Sequence, residues 1–82
     1  MKLWTLRQAQ EDFRRGLLLN VRLIKDDGWM IEITSSLKAD GIGYLGYTRH
    51  GQVDFVKVFK KIGAAIDSVE EIGFDIKKLT VN

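Results

Sequence analysis

With 82 residues, 45% of them hydrophobic and 29% charged, the chain has the composition of one small globular domain and not of a disordered segment. The absence of cysteine excludes a disulfide framework and any thiolate metal site, and points to a reducing cytoplasm. A formal net charge of +2 is too small for a binder driven mainly by electrostatics, and Met1 to Arg7 holds no apolar run long enough for a signal peptide or a membrane span.

In chain order, the first element reads as a helix over about Leu6 to Arg15, with Thr5 as its N-cap. Leu6, Ala9 and Phe13 make one apolar stripe, Arg14 and Arg15 suit the negative end of the dipole, and Gly16 suits the position past the end. Leu3 and Trp4 alternatively begin a short strand.

Leu17 to Ile33 reads as a hairpin broken by Asp26-Asp27-Gly28. A two-residue loop would put Leu19, Val21 and Leu23 on the face opposite Trp29, Ile31 and Ile33. A three-residue loop with Gly28 in the left-handed position pairs Lys25 with Trp29, Leu23 with Ile31 and Val21 with Ile33. On the reverse face it sets Arg22 by Glu32 and Ile24 by Met30, so every pair is satisfied and this register is preferred.

Ser35 to Gly43 is a polar loop, and a second hairpin follows with strands Tyr44–Thr48 and Gln52–Phe59 around Arg49-His50-Gly51. The same turn grammar sets Tyr47 against Val53, Leu45 against Phe55, and Tyr44 against Val56 on the reverse side. A second helix over about Lys61 to Ile72 places Ile62, Ala65, Ile66, Val69 and Ile72 on one stripe, with Gly73 as its stop. Phe74, Ile76, Leu79 and Val81 then read as a last strand, bent at Lys77 and Lys78. The expectation is a single α+β domain over residues 1–82: a mostly antiparallel sheet of four or five strands with two helices, in the order α-β-β-β-β-α-β.

This register leaves Leu18, Ile24, Met30, Tyr44, Val56 and Val58 on the face turned from the main core. Either the two helices divide between the two faces, or this face closes by self-association in a homodimer.

No catalytic constellation emerges. His50 is the only histidine and lies at a hairpin tip, so Ser-His-Asp chemistry would have to recruit Ser35, Ser36 or Ser68 to a single turn residue. Asp26 and Asp27 serve their own turn, and Asp40-Gly41-Ile42-Gly43 has neither the context of a phosphate loop nor the ligand spacing of a calcium loop. The expectation is a non-enzyme without metal or cofactor. Basic and aromatic residues gather instead in and around the second hairpin: Tyr44, Tyr47, Arg49, His50, Lys57, Lys60 and Lys61, with Arg22 on the first. These are the candidate contacts to DNA or a protein partner, set against the simpler reading that cations coat the solvent side of a small domain.

Two resemblances bear on function. The run Trp29, Gly51, Val58-Phe59-Lys60 and Ala65, as strands followed by a helix, resembles the sheet-type DNA-binding domains at the N-termini of phage-type integrases, which implies strands in the major groove held by phosphate contacts. More of the chain is covered by a second pattern: Leu6-Arg7-Gln8-Ala9-Gln10, Phe13, Gly16, Gly28-Trp29, Val58-Phe59-Lys60-Lys61-Ile62-Gly63-Ala64-Ala65 and Ile72-Gly73-Phe74. It resembles small plasmid-borne accessory proteins, some of them partition-associated proteins of the ParC type. Lys61 and Gly63 depart from that pattern, which has a capping Thr and a first-turn Asp at these places. The resemblance implies a bacterial plasmid or other mobile element and a binding or adaptor role in its maintenance or partition.

Overall fold

The computed structural model describes residues 2–49 and 52–81. Its elements are β1 (Lys2–Trp4), α1 (Leu6–Arg14), β2 (Leu18–Lys25), β3 (Trp29–Ser35), β4 (Ile42–Arg49), β5 (Gln52–Val56), α2 (Ile62–Ile72), a 3-10 turn (Ile76–Lys78) and β6 (Thr80–Val81). The class is α+β, as the patterning predicts, but the sheet is mixed. Six strands run in the order β1-β4-β3-β2-β6, with β5 on β4. The β1–β4 and β2–β6 pairings are parallel and the rest antiparallel. β1 is the short strand that Leu3 and Trp4 offer as an alternative, and β6 keeps two residues of the expected last strand; their parallel pairing is what three and two residues are too few to announce.

Local chemistry accounts for most boundaries. Thr5 and Gln8 form a reciprocal capping box at the start of α1, the Thr5 hydroxyl accepting from the Gln8 N–H at 3.0 Å and the Gln8 side chain accepting from the Thr5 N–H at 3.1 Å. The β2–β3 hairpin adopts the three-residue register: Lys25 opposes Trp29, Leu23 opposes Ile31 and Arg22 opposes Glu32. Asp27, at φ 52°, takes the left-handed position ahead of Gly28.

The second hairpin differs from expectation. Arg49 already pairs with Gln52, one step from the expected register, and a shift between Tyr47 and Thr48 takes up one further residue on β5, so Tyr47 opposes Phe55 and not Val53. Leu45 consequently does not meet Phe55. Tyr44 lies between Glu32 and Leu3, while Val56 opposes Gly46. β5 ends at Val56, and the chain then returns to β3, where Phe59 and Trp29 exchange two backbone hydrogen bonds of 2.7 and 2.8 Å.

The last segment is also corrected. Asp75 accepts from the Lys77 N–H at 3.0 Å and starts the 3-10 turn, so only Thr80 and Val81 form a strand. Ile62 is exposed at the first turn of α2, leaving Ala65, Val69 and Ile72 as its buried stripe.

Both helices cover the same face of the sheet. Trp4, Leu23, Ile31, Ile33, Leu45 and Val69 are the largest fully buried side chains, and they form one cluster with Ala9, Ala65 and Ile72. Phe13 packs edge-on against Phe74 at 4.8 Å between ring centres, closing the helix layer on itself. No helix among the described residues is long and apolar enough to cross a membrane.

Candidate functional site

Because successive strand residues point to opposite faces, burying Val21, Leu23, Ile31, Ile33 and Leu45 under the helices fixes what the other face carries. That face presents Leu3 of β1, Tyr44 of β4, Met30 and Glu32 of β3, and Arg22 and Ile24 of β2. Each is half-buried by its strand neighbours, and none of its apolar members packs against the core cluster. Val56 opposes Gly46 further along β4.

An ion pair sits at the centre of the face. Arg22 Nε donates to Glu32 Oε1 at 2.9 Å, with side-chain exposures of 38% and 12%. The Glu32 carboxylate raises the Arg22 pKa, first through this hydrogen bond and then through its charge. Tyr44 stands opposite Glu32 and Met30 opposite Ile24, so apolar groups flank a fixed charge pair across three strands.

Leu18 does not belong to this face. A bulge between Leu18 and Asn20 shifts the register, sets Leu18 opposite buried Ser35 and packs it on the core, while Leu19 turns outward at 65% exposure. Ile24, Met30 and Val56 lie where the alternation puts them. Val58 is exposed and lies against Gly28, where an added Cβ would stand 2.5 Å from Val58 Cγ1.

The basic candidates divide into two places. Arg22 is central on the open face and engaged with Glu32. Lys57, Lys60 and Lys61 are exposed on the segment leading from β5 into α2. Lys57 Nζ lies 5.1 Å above the Phe59 ring, and Lys25 Nζ lies 5.1 Å above the ring of Trp29, which is bridged to Phe59. Lys61 holds the N-cap position of α2 without a side-chain bond to it, and the first turn carries no acidic residue. Tyr47 and Phe55 stack at 5.5 Å and 18° on the hairpin arm, both exposed. Arg49 lies in β4 opposite Gln52, while His50 lies outside the described residues.

Sequence reasoning missed Leu3, Glu32 and Phe55 as surface-forming residues. Glu32 was legible in principle, since the preferred register already set it beside Arg22. Leu3 needed the parallel docking of β1, and Phe55 needed the bulge in the second hairpin.

The polar groups serve structure. Ser36 Oγ donates to the Leu17 carbonyl at 3.0 Å, and Ser35 Oγ accepts from the Leu37 N–H at 3.1 Å, so both serines hold the loop after β3. Trp4 Nε1 donates to Asp12 Oδ2 at 2.9 Å. Among the described residues no buried side-chain polar atom lacks a partner, and no group of His, Cys, Asp and Glu gathers as metal ligands would.

Fold and surface define a two-layer α+β domain with one sheet face uncovered. No family model matches the chain, and comparison with curated proteins and with solved structures finds no match.

Proposed function

We propose that the protein is a non-enzymatic binding module of the cytoplasm, serving the maintenance or partition of a plasmid or other mobile element by docking a protein partner on its uncovered sheet face. One observation carries this reading: both helices pack on one side, leaving Leu3, Ile24, Met30 and Tyr44 half-buried around the Arg22–Glu32 pair on the other. A pre-formed, mostly apolar patch with one fixed charge pair has the make-up of a recognition surface. The resemblance of Leu6-Arg7-Gln8-Ala9 and of Val58 to Ala65 to plasmid-borne accessory proteins supports the setting. The test is co-purification from cells carrying the element, with the wild-type chain and Met30→Asp as baits. Loss of a defined partner with Met30→Asp supports the reading; identical partner sets for the two baits overturn it.

A second reading is direct DNA contact through Lys57, Lys60 and Lys61. It is favoured by the exposure of all three on the segment from β5 into the uncapped start of α2, and by the exposed Tyr47–Phe55 stack on the hairpin arm. Retardation of plasmid DNA that weakens as salt rises supports it, and no retardation at low salt overturns it.

A further inference from the structure

We propose that the partner of the uncovered sheet face is a second copy of this chain, packed face to face across a two-fold axis. The inference rests on the binding-module reading and names the partner for that same surface.

Two observations select this occupant. The first is area. The Cα envelope measures 33 × 29 × 19 Å, and the short dimension fits one sheet under helices ~10–12 Å across, so the broad dimensions lie along the sheet. An ellipse with axes of 33 and 29 Å covers about 750 Å², the most that this side of the whole molecule can present, against the ~800 Å² that each partner contributes to a standard interface. The face is large enough for a stable dimer when it is used whole, with Val56 on the hairpin arm included.

The second is charge. Arg22 and Glu32 form a single dipole lying across the strands, with Ile24 and Met30 on one side and Asn20 and Thr34 on the other, Tyr44 beyond Glu32 and Thr80 beyond Arg22. A two-fold axis lying in the plane of the interface reverses the in-plane component of a dipole perpendicular to that axis. Two such pairs brought together by in-plane two-fold symmetry therefore meet head to tail, Arg22 of one copy near Glu32 of the other, when the axis runs along the strands. An apolar partner would bury the Glu32 carboxylate, only 12% exposed, with nothing further for it to accept from. A second copy brings the matching guanidinium without any new residue type.

The experiment is a mass measurement by light scattering across a concentration series, on the wild-type chain, Arg22→Glu, Glu32→Arg and the equimolar mixture of the two variants. Circular dichroism checks that each variant is folded. The wild type is expected to approach twice the 9.4 kDa chain mass as concentration rises. Each variant carries like charges at the centre and is expected to lose at least tenfold in self-affinity. The mixture, one face acidic and the other basic, is expected to recover the doubled mass. A wild-type mass of one chain throughout overturns the homodimer. If Met30→Asp still loses a co-purified partner in that case, the binding face stands with a different occupant; if it does not, both readings fall. A doubled wild-type mass that neither variant changes also overturns the proposal, because the dimer then uses another surface.

Discussion

Replacing Gly43 with Ala tests how β1 is docked, and hence one flank of the uncovered face. A Cβ at Gly43 would stand 2.0 Å from the Lys2 carbonyl oxygen and 2.8 Å from both the Lys2 carbonyl carbon and Trp4 Cζ3. Two of those three atoms are backbone and cannot swing aside as a side-chain tip would. To restore an ordinary contact near 3.4 Å, β1 must retreat from β4 by 3.4 − 2.0 = 1.4 Å. A backbone hydrogen bond of ~2.9 Å does not survive that displacement. It also opens space around Trp4, which is fully buried, and losing the packing of a buried Trp costs ~3–5 kcal/mol. Against a total of ~5–15 kcal/mol for a domain, Gly43→Ala should remove a large share of the stability. With a urea slope of ~1–3 kcal/mol/M, a 3 kcal/mol loss lowers the unfolding midpoint by ~1–3 M. Tryptophan emission reads it directly, with a red shift as Trp4 meets water. Gly63→Ala is the internal control: nothing lies within 4 Å of its added Cβ, and in a helix it should gain about 0.5 kcal/mol. A midpoint for Gly43→Ala equal to that of the wild type would refute the close approach of β1.

Three further outcomes follow from particular groups. Lys61 already has the extended backbone of an N-cap, φ −116° and ψ 136°, so Lys61→Ser should supply the missing cap and stabilise by about 1 kcal/mol, or ~4–8 °C in Tm by calorimetry. Asp12→Ala leaves the Trp4 indole N–H without its acceptor and should cost ~1–3 kcal/mol in a denaturant titration, with Asp12→Asn recovering part of it. If Lys57, Lys60 and Lys61 each meet a phosphate, duplex binding should fall about 40-fold between ~50 and ~200 mM salt, a slope that the triple Gln variant should flatten in a filter-binding assay.

The elements with long periodic runs were legible in the sequence. The β2–β3 register follows from requiring every cross-strand pair to agree, and α1 follows from Thr5 as its cap, the stripe of Leu6, Ala9 and Phe13, and Gly16 past its end. What escaped depends on contacts distant in the chain. β1 exists because Lys2–Trp4 finds β4 some forty residues on, where Gly43 lets it approach. The shifts at Leu18/Asn20 and Tyr47/Thr48 are single-residue insertions in the ladder, which alternation cannot announce; the first turns Leu18 to the core, and the second changes the partners of β5 while Val56 keeps its expected face. Leu18 therefore packs on the core, whereas Ile24 and Met30, inside an unbroken register, and Tyr44, set opposite Glu32 by the β3–β4 pairing, keep the face expected for them.

The uncovered face is a consequence of the helix pairing. β1 and β2 both run parallel to β4's direction, so α1 is a crossover between strands of one sheet and must lie on one side of it. α2 then packs on α1: Gln10 Nε2 donates to the Glu71 carbonyl at 2.9 Å, and Gly73 comes so near Phe13 that an added Cβ would lie 2.6 Å from its ring. That contact commits the second helix to the layer of the first. Among the described residues both helices lie on one side, so Leu3, Ile24, Met30 and Tyr44 keep only their strand neighbours there. Disrupting the helix pairing should therefore destabilise the fold, while changing Met30 or Ile24 should spare the fold and act on what the face binds.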